Sequence, residues 1–437
     1  MLRAIGSICT KIGSGITPSG GEQSYIDSGV SLIRSQNVLD LSFNYDGLAH
    51  IDDDTADMMQ NVEVLPGDIL LNITGDSVAR VCMVPEDVLP ARVNQHVMIL
   101  RTNDEVISGF LLAYLFVNKE LLLSLASAGS SRKALTKEMI SSIELDILPI
   151  KQQKIISDFL IVFNKEIELI TQINDNLLAV LRTAVDKYFC YLPEDMPDNW
   201  RRVMLPELAS IIPGYSYKGN ELVEYSEDAL VTIKNFERNG GFKIEGYKDL
   251  EISPRVKDSQ FVDLFDILIA HTDLTQGAEI IGNAEIILSK GKYNKLVASM
   301  DLVKIQPNGN VGRYLLAALL SGYNFKGHCL GYVNGTTVLH LGKDATKEYA
   351  IALPSNQETL HGYDLFCKVI YHTISENMVE IEKLTELRDC LLPKLMSGEV
   401  DVSTIDLPTK YSFSTANTQH EQDNQRGFED KTDRKNR

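Results

Sequence analysis

Apolar residues at Ile156, Leu160, Phe163, Ile167, Ile170, Leu177, Leu181, Ala184 and Tyr188 recur at alternating steps of four and three, with polar Asn174 in the same series. That spacing averages about 3.5 residues and keeps one stripe facing one partner along its whole length. It predicts a coiled-coil helix over Gln152–Phe189, roughly 50 Å long, too long for a single compact core. A second series supplies a partner: Leu360, Tyr363, Cys367, Ile370, Ile374, Asn377, Ile381, Leu384, Arg388, Leu391 and Leu395. Each seam carries one Asn and, near its end, a Leu-Arg pair (Leu181-Arg182, Leu387-Arg388). If the helices run antiparallel with Asn174 facing Asn377, Leu160 falls opposite Leu391, Ile167 opposite Leu384, Leu181 opposite Ile370 and Tyr188 opposite Tyr363. Every layer is then filled. A buried Asn weakens such a seam but selects its register; the plainer alternative is that each Asn is a solvated break in the stripe.

Before the first seam, short apolar runs at Val30–Val38, Ile69–Ile73, Val78–Val84 and His96–Leu100 alternate with turn signals such as Pro18-Ser19-Gly20-Gly21, Pro66-Gly67-Asp68 and Gly75-Asp76. A helix over Gly109–Ser127, a loop and a last strand over Ile143–Leu148 complete the stretch. After a Pro-rich acidic linker the plan restarts. Asp266-Ile267-Leu268-Ile269 repeats Asp68-Ile69-Leu70-Leu71, Leu315-Leu316-Ala317-Ala318-Leu319 repeats Leu111-Leu112-Ala113-Tyr114-Leu115, and Gly335-Thr336-Thr337 matches Gly129-Ser130-Ser131. This is a tandem duplication of one long unit. The expected organisation is α+β: α/β domains at 1–149 and 200–354, spacer helices at 150–190 and 355–400, a linker at 191–199, and a disordered tail at 401–437.

The net charge of -18 and pI near 4.9 argue at first against nucleic-acid binding, which needs Lys and Arg to neutralise phosphate. The charge is unevenly spread, however: residues 1–149 carry about 10 Lys and Arg against 19 Asp and Glu, and residues 200–354 about 17 against 18. The acidity therefore points to partners that supply part of any phosphate contact. No apolar run approaches a spanning helix and the N-terminus has no signal-peptide block, which makes the cytoplasm the default location. The six cysteines form no CxxC or Cys/His cluster, so neither zinc nor a disulfide framework is indicated, and they are expected as buried apolar residues. Phosphate loops, GxGxxG, HExxH, GxSxG and the Asn-Pro-Pro-Phe type of adenine methyltransferase motif are all missing. Catalysis by this chain alone is not expected, and Asp52-Asp53-Asp54 reads as a solvated turn.

The whole plan resembles the specificity subunit of type I DNA restriction-modification systems. The likeness lies in the order of Gly13-Ser14-Gly15-Ile16-Thr17-Pro18-Ser19-Gly20, Pro66-Gly67-Asp68-Ile69-Leu70, Asn94-Gln95, Gly129-Ser130-Ser131 and Leu148-Pro149 followed by Gln152-Gln153, given twice, and in the ending Leu391–Val400. Residues 354–358 depart from the family's helix entry, and the N-terminus lacks the Trp that opens the second unit at Trp200. The resemblance implies that each α/β domain is a target recognition domain reading one half of a bipartite, asymmetric double-stranded DNA sequence, with the helices setting the spacer. It further implies two methyltransferase (modification) subunits carrying S-adenosylmethionine and a motor-nuclease (restriction) subunit using ATP and Mg, with no cofactor on this chain. A non-catalytic coiled-coil scaffold or adhesion protein with protein- or sugar-binding domains is the competing class. Base recognition needs donors and acceptors in loops. The candidates are Lys11, Thr17, Ser19, Arg34, Asn37, Asn72, Thr74, Arg80, Ser131, Arg132 and Lys133 in the first domain. In the second they are Tyr217, Lys218, Lys234, Asn235, Arg238, His271, Thr272, Thr336 and Thr337.

Overall fold

The first seam is one continuous helix, Ile150–Tyr188, and the second is Gln357–Ser397. The computed structural model describes residues 1–127, 133–275 and 277–401; the expected disordered tail, apart from Asp401, lies outside them. The chain divides into two units, Met1–Glu166 with the segment from Thr385 onward, and Ile167–Leu384. Each long helix contributes one segment to each unit.

In the first unit one sheet runs Cys9–Ser14, Val97–Thr102, Ile69–Asn72, Val81–Met83, antiparallel throughout. A second runs Ala49–Ile51, Val30–Ile33, Ala91–Val93, Glu63–Val64, with its central pair parallel. Every residue of Val30–Ile33 and of Ile69–Asn72 is buried, because core lies on both faces, and such strands read as apolar runs rather than alternations. One core packs the first sheet on Phe110, Leu111 and Leu115 and on Ile155, Ile156, Leu160, Leu392 and Leu395 of the long helices; another, including Leu32, Leu70 and Ile99, lies against the second sheet. Gln153, buried, accepts from Ile107 N–H at 3.0 Å and donates to the carbonyls of Leu148 and Glu105. The glutamine at the helix entry thus ties the helix to its domain.

Two expected elements come out differently. The helix anticipated over Gly109–Ser127 is broken into Ser108–Val117 and Lys119–Ser127, bent by 65°, where both the backbone N–H and the side-chain amide of Asn118 bond to Tyr114 O and close the first helix. Asp52-Asp53-Asp54 is not a bare turn: Asp52 caps the helix Asp53–Met58 by accepting from Thr55 N–H at 2.7 Å. That bond holds its carboxyl below the usual carboxylate range.

The second unit repeats the strand orders of the first. Ala209–Pro213, Leu302–Pro307, Ile267–Ala270 and Ala284–Ile286 form the antiparallel sheet. Lys248–Asp249, Asp228–Val231, Lys295–Ala298 and Phe261–Val262 form the mixed one, again parallel at its centre. Each unit also has a two-stranded antiparallel sheet, Leu2–Ala4 with Glu144–Asp146 in the first and Trp200–Met204 with Ala350–Pro354 in the second, and the second unit adds a three-stranded one, Thr272–Asp273, Leu339–Leu341, Val333–Asn334. Asp364 on the second long helix accepts from the N–H groups of Tyr314 and Leu315, filling the open end of the helix Arg313–Leu320. Gly312 has no side chain because Asp364 lies where one would go, with Cγ 1.9 Å from a Cβ built there.

Within this unit Asn377 Nδ2 donates to Asn174 Oδ1 at 2.7 Å, and the rings of Tyr188 and Tyr363 lie 4.6 Å apart. The numbers rise along one helix as they fall along the other, so these segments are antiparallel. In the first unit Arg388 donates to Asn164 Oδ1 at 2.9 Å, and Leu160 shares a core with Leu392. Asn174→Leu alone is expected to destabilise the second unit by about 1–3 kcal/mol, since it leaves Asn377 unpaired against leucine, whereas Asn174→Leu with Asn377→Leu is expected to be neutral or stabilising. Thermal unfolding of the four members of this double-mutant cycle measures it; additive effects would deny the pairing.

Among the described residues no single helix is long and apolar enough to cross a membrane. Cys82, Cys329 and Cys367 are buried, but Cys190 and Cys390 are exposed, against the expectation for all six.

Candidate nucleic-acid interface

In the first unit the loops leaving Cys9–Ser14, Val30–Ile33 and Ile69–Asn72, and the one entering Val97–Thr102, are bonded into one cluster. Gly15 and Ile16 N–H groups donate to Val97 O and Val93 O, and Ile73 N–H to His96 O. Asn72 Nδ2 bonds Ser35 O and Val38 O at 2.8 and 3.2 Å. Thr74 Oγ1 and His96 Nδ1 share a hydrogen bond at 2.6 Å, and Gln95 meets the other ring nitrogen at 3.0 Å. Leu135 N–H bonds Ile73 O, which brings the approach to Lys133 beside the same loops.

The second unit builds the corresponding cluster. Gly214 and Tyr215 N–H groups donate to Leu302 O and Ala298 O, His271 N–H to Asp301 O, and Leu341 N–H to His271 O. Here the loop after Ile267–Ala270 is longer and is bonded around one carboxylate. Asp273, fully buried, accepts from Thr275 N–H and Oγ1, Ile280 N–H and Ile281 N–H. Burial opposes its ionisation, but these bonds outweigh it and hold the carboxyl below the usual range. Lys326 Nζ donates to the carbonyls of Ala278, Glu279 and Ile281 and to Asn283 Oδ1. Leu274 projects from this loop 67% exposed.

The candidate residues fall into three groups. Asn37, Asn72, Asn235 and Thr272 are buried and are thereby removed as direct base contacts. Asn37 accepts from Arg34 N–H at 3.0 Å and donates to Asn44 O at 2.9 Å; Asn235, its repeat mate, accepts from Thr232 N–H at 2.8 Å and donates to Lys243 O at 2.8 Å. Both are internal locks of their loops, and Thr272 Oγ1 is spent on Asp301 Oδ1. Lys11, half-buried, is held by partners: its ammonium donates to Asn61 O and Glu63 O, and burial, with Arg101 nearby, pushes its pKa down.

Arg34, Thr74, Tyr217, Arg238 and His271 are placed by partners. Arg34 Nη2 bonds Gly47 O and its guanidinium lies over Tyr25; Tyr217 is half-buried against the Tyr215, Leu230, Leu250 and Val297 cluster; Arg238 pairs with Glu279 at 3.2 Å. Burial, with His340 and Lys343 nearby, pushes the His271 imidazole down and favours its neutral form. Thr17, Ser19, Lys133, Lys218, Lys234, Thr336 and Thr337 are exposed, and Arg80 is half-exposed. Among the described residues the side-chain cations of Arg80, Lys133, Lys218 and Lys234 take part in no hydrogen bond or ion pair, which leaves them available to phosphate. Ser131 and Arg132 lie outside the described residues. Of the residues that organise these clusters, His96, Asp273 and Lys326 were not among the sequence candidates and Gln95 entered only through the Asn94-Gln95 pair; His96 follows that pair directly, and nothing in the sequence marks Asp273 or Lys326.

Residues 54–179 match the type I restriction modification DNA specificity domain. Over those residues the chain carries the DNA specificity domain of type I restriction-modification systems. The match runs from the first unit's strands into the first long helix, and the second unit repeats the first unit's strand orders. The S subunit of a type I restriction-modification system from M. genitalium shares the fold, with a TM-score of 0.53 at 14% identity over 90% of this chain and 95% of that one. A chain from work on complex assembly and conformational transition of the type I R-M system gives 0.42 at 15% identity, covering 92% and 98%. The HsdS subunit from Thermoanaerobacter tengcongensis gives 0.31 at 14%, covering 92% and 97%. No curated protein sequence matches. Among the described residues no group of three or more His, Cys, Asp or Glu side chains could hold a metal ion.

Proposed function

We propose that each unit of this DNA specificity subunit reads one half of a split, asymmetric double-stranded target in the cytoplasm, and that the paired helices define the unread spacer between the halves. Duplication carries the reading: two loop clusters on identically ordered sheets, each joined to both long helices. Phosphate contacts from Lys133 and Arg80 in the first unit and from Lys218 and Lys234 in the second would set register on the duplex, and the remaining loop donors and acceptors would read base edges. In the first unit Arg92, Arg101 and Lys119 are committed to internal partners, and few cations remain. Partner subunits therefore supply part of the electrostatic grip. Two methyltransferase subunits with S-adenosylmethionine are the expected partners for modification, and a motor-nuclease subunit with ATP and Mg for cleavage.

Purified chain with its methyltransferase partner is expected to bind the target found by mapping methylated adenines in the source genome, with affinity falling steeply as salt rises. Lys133→Ala with Lys234→Ala should weaken binding to all sequences and flatten the salt slope by about one unit for each phosphate no longer neutralised. An unchanged slope would remove both from the interface. Absence of sequence preference at every salt concentration would instead mark a scaffold.

A further inference from the structure

The two Leu-Arg pairs near the ends of the seams have different duties. Arg388 is spent on the first unit: it donates to Asn164 and Asp389, and its guanidinium lies 5.4 Å from the Phe116 ring centre. Arg182, one residue past the seam position Leu181, instead reaches the α/β domain of the second unit, where Nη1 donates to Asn239 O at 3.3 Å. It lies on the turn Glu237–Gly241, closed by Glu237 N–H to Gly241 O and Gly240 N–H to Glu237 O. Gly240 has φ +81°, and a Cβ there would come within 2.5 Å of Arg182 Nη2; glycine both permits the turn and makes room for the guanidinium. On its other side the turn is tied into the recognition loops. Gly241 N–H donates to Glu285 at 2.7 Å, and Asn283 Nδ2 to Glu237 O at 3.2 Å. Asn283 is also held by Lys326, at the foot of the loop that exposes Leu274. In the first unit the equivalent turn carries Asp40, which pairs with Lys119 of its own domain, and Leu41 N–H bonds Val81 O.

We propose that Arg182 is a positioning residue for DNA recognition, fixing the Glu237–Gly241 turn and the adjoining loop so that the second unit reads its half-site in a frame set by the spacer helix, while the first unit sets its frame internally through Lys119 and Asp40. This rests on the reading of the chain as a bipartite DNA specificity subunit.

The test uses the full chain with its methyltransferase partner and duplexes in which one half or the other of the mapped target is scrambled, giving a discrimination ratio for each half. Arg182→Ala is expected to lower the ratio for one half about tenfold, to leave the other within about twofold, and to leave the salt slope unchanged, because Arg182 neutralises no phosphate. Arg182→Lys should recover most of the loss, since it keeps a cationic donor. Gly240→Val, which displaces the guanidinium and strains the turn, should impair the same half. The proposal is overturned if Arg182→Ala leaves both ratios unchanged, lowers both equally or lowers only the melting temperature, or if Gly240→Val impairs the opposite half. A wild-type chain with no sequence preference would defeat the specificity reading itself, before any variant is compared.

Discussion

Arg101→Ala is expected to destabilise the first unit by about 3–5 kcal/mol, among the largest effects available to one substitution outside the hydrophobic core. Asp68 is completely buried, and Arg101 meets it with a fork, Nε to Oδ1 at 2.7 Å and Nη2 to Oδ2 at 2.8 Å. The remaining acceptor capacity of Asp68 goes to Leu65 N–H at 2.8 Å. Removing the guanidinium strands an ionised carboxylate away from water, and that penalty, rather than the gross attraction of the pair, sets the size of the effect. The repeat contains its own control. Asp266 occupies the equivalent place, but its side chain is 13% exposed and has two cations, Lys304 Nζ at 2.7 Å and Arg313 Nη1 at 3.4 Å. Lys304→Ala leaves one of them and should cost only about 1–2 kcal/mol. Hydrogen exchange resolved by unit distinguishes the two, where a single melting curve of a two-unit chain would not. Equal costs would mean that the buried carboxylate of Asp68 does not govern the loss.

Gly214→Ala should cost about 3 kcal/mol or more in the second unit. Its φ is ordinary, so the cost comes from contact alone: a Cβ would lie 1.9 Å from Ser299 O and 2.8 Å from Ala298 O. Neither carbonyl can retreat cheaply, since Ala298 O accepts from Tyr215 N–H at 2.7 Å and Ser299 N–H donates to Val231 O. Gly15 faces the same obstacle in Val93 O, again at 1.9 Å. Gly219→Ala is the matched comparison, with nothing within 4 Å of its new methyl, and should be neutral or stabilising by up to about 1 kcal/mol. Urea unfolding of the pair, read in the second unit, checks the contrast; a Gly214→Ala chain as stable as Gly219→Ala would mean that the strands part more easily than their bonding implies.

The long helices were legible in the sequence because a 3.5-residue period sustained over some ten layers has one physical explanation. The duplication was legible because the buried strands repeat as short apolar words. Other features depend on where a side chain turns, which spacing does not encode. The break between Val117 and Lys119 arises from one asparagine amide finding Tyr114 O. Asn37 and Asn235 look like readers of bases, since an amide in a loop carries the right donor and acceptor, yet both are consumed by their own backbone. The carbonyl partners of Lys11 were equally hidden from the sequence, since Asn61 and Glu63 lie some fifty residues along the chain. The exposed cations that survive are those with nothing nearby to bind, a property of the folded surface alone.

Three fastenings recur in both halves of the chain: a glycine pressed against a strand carbonyl, a carboxylate pinned by a cation beneath the antiparallel sheet, and an asparagine closing the loop after the parallel strand. None of them includes the exposed loop side chains. Those side chains can therefore be substituted in either half without touching the fastenings.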